Sequence, residues 1–253
     1  MFLTDDLLRS DTAEARQLWR NPVRRITAVE ADVAERFVIT ARLPAQRFRE
    51  LVPPTFLAPR PVGGSLMLWL SVLRMRHAVP AWVPLEFGPA SVNAALHLAC
   101  IDVRDGRACP WVGGRYSDSV LAPALSGLGF PDVDGGLADR GGPERLDLSA
   151  ADGLMRLQAG PGGGTDPELF ADAAALAAFI AAPLSLAAGR SSGRFAAVQA
   201  EKLADDTLEH CQGWEGWLRT PWGDCTIDGI YRARNGGWRW TSQGEFDGDG
   251  HAL

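Results

Sequence analysis

GGSLMLWLSVLRMRH, residues 63–77, opens on two glycines and then runs from Leu66 to Leu73 with Ser71 as its one polar interruption. Its richness in Leu, Met, Trp and Val marks a buried strand. Side chains alternate between the two faces of a strand. One face here carries Met67, Trp69, Ser71, Leu73 and Met75; the other carries Leu66, Leu68, Leu70, Val72, Arg74 and Arg76. Both faces are apolar over most of their length. Both must therefore be covered, as when a sheet closes on itself or lies beneath helices. Arg74, Arg76 and His77 end the run, adding positive potential or pairing with surface carboxylates.

Upstream, the alternating and β-branched residues from Arg25 to Ala41 read as strand, and Pro44 introduces a short helix in AQRFRELV that Pro53 and Pro54 stop. Downstream, AVPAWVPLEFGP is a Pro-rich loop, and ASVNAALHLACIDV and ACPWVGG read as strands about a turn at Arg104–Asp105–Gly106. VLAPALSGLG reads as a helix, residues 130–142 as loop, and LMRLQA as strand. An Ala-rich helix starts near Glu168, capped by Asp166 or Thr165. GRFAAVQAEKLADDTLEHC is open between strand and helix, whereas IDGIYRAR and GGWRWTSQ read as a hairpin turning at Asn235–Gly236. No repeat and no linker divides the chain. One mixed α+β, strand-dominated domain over 1–253 is expected, with a helical lead-in at 1–24, the body at 25–240 and a flexible tail at 241–253.

With 253 residues the chain can bury a sizeable core, and 46% hydrophobic and 22% charged residues are ordinary for a globular protein. A formal charge of −6 argues against nucleic acid, because no net cationic surface displaces phosphate counterions. The N-terminus has acidic residues where a signal peptide has basic ones, and Cys100, Cys109, Cys211 and Cys225 show no CxxC pairing. A cytoplasmic protein with reduced thiols is expected. The tract Leu169–Ala188 is mostly alanine, broken by Asp172 and Pro183, and reads as a packed helix and not a membrane span. No metal site is expected: His210, Cys211 and Cys225, or His97 and Cys100, have the wrong spacing. No Walker A, strand-linked GxGxxG or HExxH sequence points to a cofactor. Lys202 is the single lysine of the chain, so any amine nucleophile has one candidate.

Three pieces together resemble a known family. FVITARLPAQRFRELVPPTF resembles the strand–helix–Pro-Pro opening of the acetoacetate decarboxylase-like superfamily, and GGSLMLWLSVLRMRH resembles the next strand in its uncharacterised DUF2071 group. DGRACPWVGGRYSDSVLAPALSGLGFP is similar to the strand, polar turn and helix that carry the catalytic centre of the decarboxylase. The resemblance covers about residues 30–240. It implies a cone-shaped, mainly antiparallel β-barrel with flanking helices and a pocket inside. In the decarboxylase a lysine of this segment forms a Schiff base with a β-keto acid, and a neighbouring lysine lowers its pKa. Matching LGFP to the family's Leu-Gly-aromatic-Pro ending puts that pair at Ser126 and Gly127, neither of which can form an imine. The family's Gly-Arg-Glu signature stands here as Gly114, Arg115 and Tyr116. Lys202 does not substitute: Glu201, Asp205 and Asp206 favour a protonated, solvated amine.

The candidate site centres on that polar turn. Arg115 is placed to clamp a carboxylate, and Tyr116 and Asp118 to move protons; alternatively Asp118 or Ser117 caps the following helix, with Arg115 paired to Asp118. Asn93 and His97 share one face of their strand, which lines a cavity or meets solvent. Glu86 is placed near the cavity mouth, and Ser117, Trp69 and Trp111 complete the candidate binding set. Trp214, Trp217, Trp222, Trp238 and Trp240 either stack on a ligand or cover the barrel. Two functions follow: a non-imine enzyme acting on a small carbonyl or carboxylic acid, or a non-catalytic binder of a hydrophobic or aromatic ligand. A homo-oligomer is compatible with either.

Overall fold

The run that opens at Gly63 lies in a 15-residue strand, Leu66–Pro80, and both faces of its apolar part are buried. A computed structural model describes residues 27–43, 48–52, 54–119, 122–125, 130–164, 166–188, 193–247 and 249. The expected lead-in at 1–24 and the positions Ser126 and Gly127 lie outside them. In chain order the elements are β1 (Ala28–Leu43), α1 (Phe48–Leu51), β2 (Leu57–Pro59), β3 (Leu66–Pro80), β4 (Ser91–Leu98), β5 (Cys100–Asp102) and β6 (Trp111–Ser117). There follow α2 (Ala122–Leu125), β7 (Gly135–Asp139), β8 (Leu146–Ala150), β9 (Arg156–Pro161), α3 (Ala173–Ile180) and β10 (Ser185–Ala188). The chain ends in β11 (Phe195–Ala204), β12 (Glu209–His210), β13 (Trp214–Thr220) and β14 (Gly223–Phe246).

Hydrogen bonds join β1, β3, β4, β6, β10, β11 and β14 in that order, and β14 returns to β1, closing the sheet into a ring. A second circuit leaves β6 through β7, β8, β9 and β13 and also returns to β14. Closure leaves most strands paired on both edges, which removes exposed ladders. Pairing is antiparallel except where β6 meets β7 and β10. The fold is thus α+β and dominated by antiparallel strands. The expected flanking helices amount, among the described residues, to α3 and the single turns α1 and α2.

Alternation along β3 sorts its side chains into two cores. Leu66, Leu68, Leu70 and Val72 join Phe37 and Ile39 of β1, Leu96 of β4 and Leu148 of β8 in the larger core. Phe48, Leu51, Val52 and Phe56 pack into the same core. Met67 and Trp69 face the other way, into a smaller core with Phe170, Leu176 and Tyr231 under α3. Each such buried side chain contributes about 1.5–3 kcal/mol of burial free energy.

Four local expectations are corrected, the first being that residues 130–142, read as loop, contain β7. The Ala-rich helix starts at Ala173, with Asp172 accepting from the Ala175 N–H at 2.7 Å. Asp228 accepts the N–H groups of Glu168 and Leu169 (3.3 and 3.2 Å), which holds those residues outside the helix. The expected hairpin at Asn235–Gly236 is absent: β14 runs through it as one 24-residue strand paired along β1. Asn235 takes the left-handed conformation (φ 58°) within that strand, and Gly236 admits Asp206, whose Cβ would lie 3.1 Å from an added Cβ. Residues 241–246, read as tail, continue β14 and pair with β1 and β11. The undecided stretch before Cys211 resolves as β11, a loop and β12. No helix among the described residues is long and apolar enough to cross a membrane.

Candidate functional site

Register places the polar residues of the turn on different sides of β6. Ala95 pairs with Arg115 and Asn93 with Ser117, so Arg115 and Ser117 share the face of Asn93 and His97. Trp69 pairs with His97 on that same face, and the two rings stack at 4.8 Å with an interplanar angle of 3°. Tyr116 pairs with Ala94 and points into the large core. Burial, with the charges of Asp152 and Asp134, pushes the Tyr116 phenol well above its ordinary value. Arg115 and Tyr116 therefore stand on opposite faces, a consequence of strand alternation between neighbours.

The other candidates have local partners. Asp118 accepts the Val92 N–H at 2.7 Å, prolonging the β4–β6 edge. Ser117 Oγ accepts from the Ser119 N–H at 3.0 Å. The Asn93 side-chain amide donates to Ser91 Oγ at 3.1 Å. Glu86 is exposed on a 3-10 turn, Leu85–Phe87, packed against β3. His97 keeps a partly exposed edge, yet its Nδ1 is buried and has no hydrogen-bond partner among the described residues. Desolvation, with the nearby charge of Arg115, pushes its pKa down to about 3, so the ring is neutral throughout the physiological range.

Arg115 lines a cavity of about 140 Å3 with Trp111, Val112, Gly113, Asp132, Asp134 and Trp222, bounded also by Leu51, Ala187 and Ala188. Its guanidinium donates to the Pro131 carbonyl, and its backbone N–H donates to Asp134 Oδ2 at 2.7 Å. Burial pushes the guanidinium down and the charges of Asp134 and Asp132 push back. An arginine stays a cation in proteins. Burial also raises the carboxyl of Asp134, against the Arg115 N–H bond and charge. Trp111 meets Phe195 edge-on at 5.6 Å, one wall of the cavity. Trp222 forms the other because position 113 lacks a side chain: an added Cβ there would lie 2.1 Å from Trp222 Cζ2. Gly113→Val is expected to cost about 1–3 kcal/mol by overpacking and to red-shift tryptophan emission. An unchanged denaturation midpoint and spectrum would show that the indole is not held there.

Sequence reading missed Asp132 and Asp134, which join Arg115 from a loop; Trp222, one of its five candidate stacking tryptophans, comes from the β13–β14 turn. It also missed a polar cleft of about 470 Å3 lined by Glu144, Asp205, Glu209, His210, Cys211, Trp214, Arg232 and Arg234. The alternating arginines of IYRARNGG were its one visible signal. Beneath it Glu35 binds both Arg74 (2.9 Å) and Arg232, and Arg74 also holds Asp139 at 2.8 Å. Burial would raise the Glu35 pKa; the bonds from Arg232 and Arg74 outweigh it and hold it low. Arg74 and Arg76 thus pair with carboxylates, the latter with Asp32 at 2.6 Å. Among the described residues no group of three or more His, Cys, Asp or Glu side chains is arranged to hold a metal ion.

Lys202 is accounted for. Its Nζ lies 2.6 Å from Asp206 Oδ1 and 3.0 Å from the Asp206 carbonyl, on the exposed half of β11. It lines neither cavity.

No family model matches the chain, and no curated protein matches it. Solved structures do. An acetoacetate decarboxylase superposes with a TM-score of 0.58 and 12% identity, covering 97% of this chain and 98% of its own. The fold is that of acetoacetate decarboxylase. An acetoacetate decarboxylase-like enzyme from Sphingomonas wittichii RW1 follows with a TM-score of 0.53 and 16% identity, covering 85% and 93%. The enduracididine biosynthesis enzyme MppR, solved with pyruvate, gives 0.52 and 14%, covering 87% and 90%. The acetoacetate decarboxylase-like ring is thus common to chains with very different sequences.

Proposed function

We propose that this chain is a small-molecule-binding member of the acetoacetate decarboxylase-like superfamily, on the side of its DUF2071 group, that holds a small carboxylic or keto acid without forming an imine. The observation that carries the reading is the half-buried cation of Arg115 in the wall of a cavity lined, among the described residues, by no amine. The single lysine is committed to Asp206 elsewhere. Arg115 supplies two parallel N–H donors to a carboxylate, and Asp134, with its raised pKa, stands beside it to accept or return a proton. Tyr116, on the opposite face, is outside that geometry. Size favours a small acid over an aromatic one: about 140 Å3 lies below the range of ordinary ligand pockets, about 300–1,000 Å3. The neighbour solved with pyruvate supports the same ligand class. A cytoplasmic location belongs to this proposal.

Titration of tryptophan emission with pyruvate and acetoacetate tests it. Saturable binding is expected, weakened about 10–100-fold in Arg115→Met, the loss of a charge-assisted hydrogen bond worth about 1.5–3 kcal/mol. Borohydride with either acid should leave the mass of the protein unchanged. A reduced adduct on Lys202, or equal affinity in Arg115→Met, would overturn the reading. Tighter binding of indole-3-acetate than of pyruvate would favour the aromatic-ligand alternative.

A further inference from the structure

The 470 Å3 cleft shares no lining residue with the Arg115 cavity, and its chemistry differs. Arg74 and Arg232 both lie over the ring of Phe37, at 5.5 and 5.3 Å, and both bind Glu35. Arg74 uses four of its five donors: it donates to Asp139, Glu35 and the carbonyls of Gly142 and Arg145. Arg232 uses fewer: its Nη2 binds Glu35, its Nη1 has Glu144 at 3.7 Å, beyond hydrogen-bond reach, and its Nε is buried with no partner among the described residues. A guanidinium offers five donors, so a side chain this enclosed keeps unused donors beside the cleft. The stacking on Phe37 and the bond to Glu35 hold it in place without a ligand.

The rest of the lining carries both signs. Arg234, two positions further along the same face of β14, stands exposed at the rim, and Glu144, Asp205 and Glu209 are exposed around it. A simple anion placed on Arg232 meets three carboxylates, and a simple cation placed among the carboxylates meets two arginines. A ligand bearing one of each satisfies both sets. We propose that this cleft binds a small zwitterion of the α-amino acid type, its carboxylate on Arg232, its ammonium among Glu144 and Glu209, and its side chain against Trp214. Glu144 is the displaceable member: 71% exposed and only loosely paired with Arg232, it yields that position to the ligand carboxylate and turns to the ammonium. Trp214 is held by stacking on Phe37 at 6.0 Å and presents an apolar wall. Binding is non-covalent, since burial pushes the neighbouring Cys211 up to about 11 and leaves it a thiol at neutral pH. The volume lies within the range of ordinary ligand pockets, about 300–1,000 Å3.

Calorimetry on the full chain with three probes of one shape tests this: L-leucine, 4-methylpentanoate and 3-methylbutylamine. Leucine is expected to bind at least about 10-fold more tightly than either singly charged analogue. Glu209→Gln, at an exposed position that leaves the ion network intact, should weaken leucine about 10-fold, and Arg232→Gln should weaken it further. Arg115→Met should leave leucine binding unchanged, which separates this site from the cavity at Arg115. Equal binding of leucine and 4-methylpentanoate would reduce the cleft to an anion site and overturn the proposal. So would equal binding of the amine, saturation by none of the three, or leucine affinity unaffected in Glu209→Gln.

Discussion

Between pH 6.5 and pH 5 the protein loses stability as the solution is acidified, and His97→Phe removes most of that loss. The imidazole stacks flat on Trp69, its Nδ1 is buried without a partner among the described residues, and burial together with Arg115 pushes its pKa down to about 3. In the unfolded chain a histidine titrates near about 6.5. Below that value the unfolded state takes up a proton that native His97 refuses, so stability falls with falling pH down to the folded value and is fully retained above about 6.5. At its steepest this is about 1.4 kcal/mol per pH unit. Over the interval chosen the effect reaches about 1–2 kcal/mol, and carboxylates such as Glu35, whose pKa is lowered, titrate below it. Phenylalanine keeps the ring stack and has no proton to bind. Parallel pH profiles of the denaturation midpoint for the two proteins would show that His97 is protonated in the native state.

Asp206→Ala is expected to destabilise the protein by about 3–5 kcal/mol, the cost of leaving a buried cation unpaired. The Asp206 carboxylate is 1% exposed and accepts from Arg36 Nε at 2.6 Å and Nη2 at 3.1 Å, besides Lys202 and the Trp238 indole. Arg36 is itself 9% exposed and lies over the Trp238 ring at 5.0 Å. Removing the carboxylate strands the guanidinium between β1 and β14. Lys202→Met, made at the 39% exposed partner, should cost less than about 1 kcal/mol. Urea denaturation of both variants distinguishes the two contributions. Equal, small losses would mean that water reaches Arg36 and that the pair is a surface pair. For a chain with a net stability of about 5–15 kcal/mol the expected loss is a large fraction of the whole.

The double-sided burial of β3 and the strand at β4 were legible in the residues. Arg115 and Tyr116, read from the sequence as one site, stand on opposite faces because neighbours in a strand alternate. The polar face of Asn93 and His97 posed a question that alternation alone left open, since it groups side chains without naming what covers them. Asn235–Gly236 misled because its backbone freedom suits either a tight turn or a kink within a long strand. The close approach of Asp206 selects the second.

The periodicity of the chain settled which side chains share a face, and its composition settled that the chain holds one lysine. Both are local properties, carried by residues one or two positions apart or by simple inventory. The folded ring settled the partners. Arg36 meets Asp206 across 170 positions, and Arg232 meets Glu35 across 197. Such pairs arise because strand order and register bring distant segments into one wall, and the free energy that chooses a register is summed over the whole closed sheet.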